Sequence, residues 1–232
     1  MSETNTTRVV STPAPASPEP SGGANEQFLS RWRYVAVALG LIALAFTQNP
    51  GRIAADTKLD LLVDPGGLMS RSFTLWEPLG FFGQLQNQGY GYLFPMGPFF
   101  WFFDLLGMPG WVAQRMWWSV LLVVAFAGAA RVIQALGIPT FTPVAIGALS
   151  YALAPRMMTE LTVLSAEVVP FALAPWVLLP LIYLTRGGSI RRAATFSGLA
   201  VFAVGGVNAV ATIAVLPLAA WWIVYRFTGR AR

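Results

Sequence analysis

Two short acidic stretches and a handful of cations carry whatever chemistry this sequence can perform. Asp56 and Asp60 stand four residues apart in Asp56-Thr57-Lys58-Leu59-Asp60, and Glu160 and Glu167 bracket a second stretch. The chain has no His and no Cys, which removes imidazole bases, thiol nucleophiles and the usual zinc ligand sets. Carboxylates, arginines, Lys58 and tyrosines remain. If residues 56–60 form a helical turn, Asp56 and Asp60 share one face about 6 Å apart. Two like charges so placed raise the proton affinity of one of them, which suits a general base or a cation site. Asp64 would extend the row, but Pro65 biases it out of the helical region. The plainer reading is that Arg52 and Lys58 neutralise the pair in a solvated turn, or that the acids decorate a helix start. Spacing alone leaves both open.

Arg156 follows Pro155 directly. Its planar fork matches phosphate oxygens, although an arginine beside an apolar run also serves as an interfacial anchor. Most of the nine tryptophans sit where apolar runs meet polar ones, as aromatic belts do. Trp76, Tyr90 and Trp101 are the candidates for a sharper role, contact with a sugar or a lipid. The Gly-rich piece 86–92 has no Walker or dinucleotide pattern around it and reads as a tight turn.

The elements that must hold these residues are membrane helices. Of 232 residues, 56% are apolar and only 11% charged, with mean hydropathy +0.60, too few charges to cover a water-soluble globule. The 15 cations, all arginine except Lys58, stand singly or in short pairs and make no basic stripe, which excludes a nucleic-acid partner. The composition predicts an all-α polytopic membrane protein whose partner is the lipid bilayer. Residues 1–30 are rich in Ser, Thr, Pro and Glu and predict a disordered cytoplasmic tail. Apolar runs predict spans near 32–48, 111–136, 141–155, 168–185, 193–207 and 209–225, the last two separated near Gly205, Gly206 and Asn208. The first span is read as a signal anchor; the rival is a cleaved signal peptide with Ala43-Leu44-Ala45 as its site. An outer loop, 49–110, contains an amphipathic piece rich in Phe and Trp lying on the outer leaflet. Phe94 and residues Phe99 to Phe103 would offer an apolar groove there.

Charge sets the orientation. If residues 93–108 do not span, all seven acids from Asp56 to Glu167 fall outside with five cations, and ten arginines fall inside. The opposite threading violates the positive-inside rule. Both termini are therefore expected in the cytoplasm and the acidic loops on the outer, periplasmic face of the plasma membrane.

Several strings then match one known family in collinear order: Gln48 to Gly51, Asp56 to Leu61, Phe82 to Pro95, Pro109 to Arg115, Pro155-Arg156, and Ala174 to Pro180. Together they resemble the opening of the actinobacterial α-(1→3)-arabinofuranosyltransferases, cell-wall enzymes of the polytopic GT-C class. The resemblance implies transfer of arabinofuranose, with inversion, from a polyprenyl-phosphate-linked donor, decaprenyl-phosphoryl arabinose. The implied acceptor is arabinan of arabinogalactan or lipoarabinomannan. It implies a first-loop carboxylate as base, Asp56 before Asp60, with Glu167 as the second-loop acid and Arg156 as donor-phosphate clamp assisted by Arg52 and Lys58. No cofactor is required by this scheme, and a divalent cation is optional. Members of that family continue well beyond the length of this chain, so it is expected to be an N-terminal part of such an enzyme. The competing classes are a transporter or flippase subunit, which would place ionisable residues at the membrane midplane, and a non-catalytic membrane scaffold.

Overall fold

The computed structural model describes residues 23–228 apart from 55, 57, 78–81, 86–88, 207 and 208. The tail expected over 1–30 lies outside that range up to residue 22, and from Gly23 onward it is already helix. Helix α1 is Gly23–Phe46. The segment between α1 and α5 follows: α2 (Asp60–Val63), α3 (Pro65–Arg71), a two-residue antiparallel ribbon of β1 (Trp76–Glu77) and β2 (Gln84–Leu85), a 3-10 turn (Gly89–Leu93) and α4 (Met96–Leu105). Helices α5 (Gly110–Ala135), α6 (Phe141–Ala152), α7 (Pro155–Leu161), α8 (Ser165–Thr185), α9 (Ile190–Ala203), α10 (Ala209–Ala214) and α11 (Leu216–Thr228) complete the chain.

Helices α5 and α8 are long and apolar enough to cross a membrane, and Trp32–Phe46, Phe141–Ala152 and Thr212–Arg226 are shorter apolar stretches. Each long helix stops at a glycine in the left-handed region, Gly137 (φ 99°) and Gly187 (φ 95°). There the next two N–H groups fold back onto the last carbonyls, Gly137 to Gln134 and Ile138 to Ile133, Gly187 to Leu184 and Gly188 to Tyr183. That motif satisfies carbonyls a straight helix end leaves open. The break expected near Gly205 and Gly206 is present, with Asn208 outside the described residues. A further break at Val215 divides the last apolar stretch again, so three helices stand where two spans were expected.

Helices α5 and α8 form the central pair, with α1 and α6 against α5 and α9 and α11 against α8. Close approach of α5 and α8 needs Gly128: a Cβ there would come within 2.6 Å of Trp176 Nε1 and 3.0 Å of Pro175 Cβ. The Trp176 indole N–H donates across the seam to the Val124 carbonyl at 3.0 Å. Helix α8 contains Pro170, Pro175 and Pro180. Pro175 has no N–H for the Phe171 carbonyl four residues back, and the Tyr151 hydroxyl of α6 donates to it instead at 2.6 Å. A neighbouring helix thus supplies the bond that proline removes. Gly128→Ile, which overpacks this seam, is expected to cost about 1–3 kcal/mol, measurable as a lowered Tm in detergent.

The bundle has two chemically different ends. At one, the segment after α1 meets the starts of α5 and α8, and the seven acids from Asp56 to Glu167 gather. At the other, Tyr34 of α1 accepts from Gln134 of α5 at 3.0 Å, and Arg33 lies over Phe141. Arg131, Arg186, Arg191, Arg192 and Arg226 stand at this second end.

Helix α4 has ten residues, about 15 Å of helix, against roughly 30 Å of hydrocarbon. It packs Met96, Gly97 and Phe100 inward. The open apolar groove expected from residues 99–103 is not what this helix offers: Phe99, Phe100 and Phe103 pack together, and Phe99 and Phe100 lie against Trp117 of α5. The large apolar side chains that face outward are Trp101, Phe102, Leu105 and Leu106.

Candidate active site

Asp56 does not share a helical face with Asp60. Helix α2 begins at Asp60 itself, and Asp56 lies ahead of it in irregular chain, so the four-residue spacing brings nothing together. Asp56 instead reaches the start of α8, 109 residues away. Its Oδ1 accepts from the Ser165 N–H at 3.1 Å and its Oδ2 from the Ser165 hydroxyl. Ser165 is wholly buried. A carboxylate here satisfies a helix-start N–H that has no partner within the helix, and the positive end of the α8 dipole favours its charge.

Glu167, two residues on in the same turn, pairs with Arg156 of α7 at 3.3 Å. Pro155 opens α7 at its first position, where a missing N–H costs nothing, and so starts the helix one residue before Arg156. Arg156 and Glu167 also line a cavity of about 260 Å³, together with Pro170, Phe171, Ala174, Val210, Ala214 and Val215. One wall is therefore charged and the others are apolar. The first turn of α8 thus makes two contacts, Ser165 with Asp56 and Glu167 with Arg156, and the cavity belongs to the second of them.

Asp60 belongs to a separate group. Arg71, near the end of α3, pairs with Asp60 at 2.8 Å, Asp64 at 3.3 Å and Glu77 at 3.9 Å. The neutralising cation is therefore Arg71, not Arg52 or Lys58. Asp64 leaves the helical region as Pro65 requires (φ −147°, ψ 64°), and its side chain caps α3 by accepting from the Gly67 N–H at 2.9 Å. Arg52 is exposed and contributes its carbonyl, not its side chain, to the structure; Lys58 is half-buried between Asp56 and α2. Trp76, Tyr90 and Trp101 are exposed, on β1, the 3-10 turn and α4 respectively.

What holds Asp56 in place was missed from sequence. Arg115, on the second turn of α5, is 1% exposed. Its guanidinium donates to the carbonyls of Gln48 (2.9 Å), Asn49 (3.3 Å) and Arg52 (3.0 Å) and to Gln114 Oε1 (2.9 Å), and lies over the Trp118 ring at 4.1 Å. The Gln114 amide clasps Ala54 both ways, accepting from its N–H at 2.9 Å and donating to its carbonyl at 3.0 Å. The Asp56 N–H donates to that same carbonyl at 2.8 Å. An unbroken chain of hydrogen bonds therefore runs from α5 through the first loop to Asp56 and on to α8. The available signal was an arginine inside a long apolar helix, which is costly unless it has a task. Ser165 carried a weaker one, a serine opening a helix with an acid two residues later.

Comparison with known proteins places the chain in a family. A family model described as α-(1→3)-arabinofuranosyltransferase, N-terminal GT-C domain, matches residues 40–232. The chain is similar to the α-(1→3)-arabinofuranosyltransferase of Mycobacterium tuberculosis (strain ATCC 25618 / H37Rv), 49% identical over 200 residues, covering 84% of this chain and 14% of that protein. The protein of the same name from Mycolicibacterium smegmatis (strain ATCC 700084 / mc(2)155) is 50% identical over 192 residues, covering 82% and 14%. The cryo-EM structure of arabinofuranosyltransferase AftD from mycobacteria superposes with TM-score 0.79 at 47% identity, covering 86% of this chain and 16% of that one. The chain thus spans about one seventh of the length of the curated relatives it matches. It belongs to the family of N-terminal GT-C domains of α-(1→3)-arabinofuranosyltransferases.

Proposed function

We propose that this chain is the N-terminal membrane part of an enzyme that transfers arabinofuranose from decaprenyl-phosphoryl arabinose to cell-wall arabinan. The arabinan is that of arabinogalactan or lipoarabinomannan, and the product is an α-(1→3) linkage formed with inversion at the outer face of the plasma membrane. The observation that carries this reading is the first turn of α8, where Ser165 binds Asp56 and Glu167 pairs with Arg156, the second pair lining a cavity with one charged wall. Asp56 takes the proton of the acceptor hydroxyl while its oxygen forms the bond to the anomeric carbon. The anomeric carbon–oxygen bond to phosphate breaks, and the bonding pair leaves with the polyprenyl phosphate. Arg156, oriented by Glu167, faces that developing charge, with Arg52 and Lys58 as further cations. Trp76, Tyr90 and Trp101 are the proposed surfaces for sugar and lipid. A divalent cation is not needed for these steps.

The orientation is part of the proposal. Helices α1, α5, α6, α8, α9 and the α10–α11 pair cross the membrane, with the seven acids from Asp56 to Glu167 outside and ten of the fourteen arginines inside. Because the chain has no Cys, Ser70→Cys on α3 creates a single thiol, expected to react with a membrane-impermeant maleimide in intact cells. Reaction only after permeabilisation would place Asp56 away from the donor and end this reading. The activity is tested by adding labelled decaprenyl-phosphoryl arabinose and an arabinan oligosaccharide to membranes holding the chain within a protein of its relatives' length. Formation of an α-(1→3)-linked product is expected; absence of transfer with a correctly inserted protein would favour a scaffold. Arg156→Gln is expected to raise the donor KM about 10–100-fold, the scale of losing one charge-assisted hydrogen bond.

A further inference from the structure

A groove of about 610 Å³, larger than the cavity at Arg156, runs along the seam of α8 and α9, far from Asp56. Its α8 wall extends from Leu173 to Leu184, a rise of about 16 Å along the helix. Half of a hydrocarbon core roughly 30 Å thick is about 15 Å. The groove therefore has the length of one leaflet.

Its polarity is graded along that length. The deep part is lined by Trp176, Leu179, Phe196 and Leu199, and the far end by Ser189 and Arg192. Arg186 and Arg191 stand in the same turn region, exposed like Arg192. Among the described residues no acid pairs with any of the three. Such a groove takes a molecule with one apolar arm of leaflet length and a negative head. Basic pockets between membrane helices favour anionic head groups for the same electrostatic reason.

We propose that the α8–α9 groove is a binding site for one anionic phospholipid of the leaflet opposite Asp56. The phosphate sits at Arg192 and Ser189, and an acyl chain lies against Trp176, Phe196 and Leu199. The site is separate from the arabinofuranosyl-transfer centre and rests only on the proposed crossing and orientation of α8 and α9.

The test is photocrosslinking in nanodiscs. The chain is reconstituted with phosphatidylglycerol or phosphatidylcholine carrying a diazirine in the acyl chain, and labelled peptides are located by mass spectrometry. Phosphatidylglycerol is expected to label the peptides holding Trp176 and Phe196 about fivefold more than phosphatidylcholine, the ratio one arginine near a membrane surface provides. Arg192→Gln, at an exposed position, should bring the two lipids to parity. Leu199→Trp, which fills the groove, should abolish labelling by both. Equal labelling by the two lipids in the unsubstituted chain, or a preference untouched by Arg192→Gln, would overturn the assignment of an anionic head group. Labelling lost when the chain is placed within a protein of its relatives' length would show that a later segment covers the groove, and would overturn it as well.

Discussion

Asp56→Asn is expected to lower arabinofuranosyl transfer by about 10²–10⁴-fold, the usual contribution of a positioned base, while leaving Tm within a degree or two. The amide is isosteric. Its oxygen still accepts from the Ser165 N–H, and its NH₂ can donate to the Ser165 hydroxyl, so the link between the first loop and α8 survives. What is lost is the capacity to take a proton. Asp60→Asn is the informative partner experiment. Asp60 is more than half exposed and already committed to Arg71, which keeps Asp64 and Glu77 when Asp60 is neutralised. An exposed ion pair contributes about 0.2–1 kcal/mol, so Asp60→Asn should alter transfer by less than about fivefold. Rates are compared with labelled donor under saturating acceptor. The reverse ranking, with Asp60→Asn silent protein and Asp56→Asn near normal, would move the base onto α2 and leave the Asp56–Ser165 contact as purely structural.

The two aspartates illustrate what local sequence does and does not determine. Their spacing invites a helical pair, and the family resemblance leaves both in play. The structure separates them because a carboxylate's partner is set by tertiary contacts: Ser165 for Asp56, and for Asp60 an arginine that the turn at Pro65 brings back from α3. Nearness in sequence pointed to Arg52 and Lys58, and neither neutralises Asp60. By contrast, α5 and α8 follow from the lengths of their apolar runs, the exit of Asp64 from the helical region from Pro65, and the end of α9 from Gly205 and Gly206. These are features that a few adjacent residues decide. In sequence Arg156 reads as a cation after proline and Glu167 as a loop acid; only the packing of α7 on α8 makes them a pair. The extra break at Val215 also has a local mark, Pro217, the second residue of α11, which has no N–H to continue the helix from α10.

The second large effect is expected at Arg115, and it falls on the fold before it falls on the reaction. Arg115→Met keeps much of the side-chain volume but strips the donors from the carbonyls of Gln48, Asn49 and Arg52 and from Gln114 Oε1. A hydrogen bond to a charged group contributes about 1.5–3 kcal/mol, and a buried acceptor left without a partner costs about 1–3 kcal/mol. Relaxation and water recover part of that, so the net loss should be about 3–5 kcal/mol, near the top of the range for single substitutions. Arg115→Lys should recover only part of it, because one ammonium cannot replace a planar fork that serves several acceptors at fixed angles. The loop 48–54 would detach first, since Gln114 and Arg115 are what tie it to α5, and Asp56 would lose its support from the Ala54 side. Limited proteolysis in detergent should therefore cut Arg115→Met within or beside residues 48–54 while α5 and α8 stay protected. Transfer should fall in kcat more than in donor KM: Arg52 leaves with this loop, but the principal clamp, Arg156 with Glu167, hangs on α7 and α8. A variant with unchanged Tm and an uncut loop would mean that the guanidinium's four acceptors are satisfied without it, and that something other than Arg115 holds Asp56 at the start of α8.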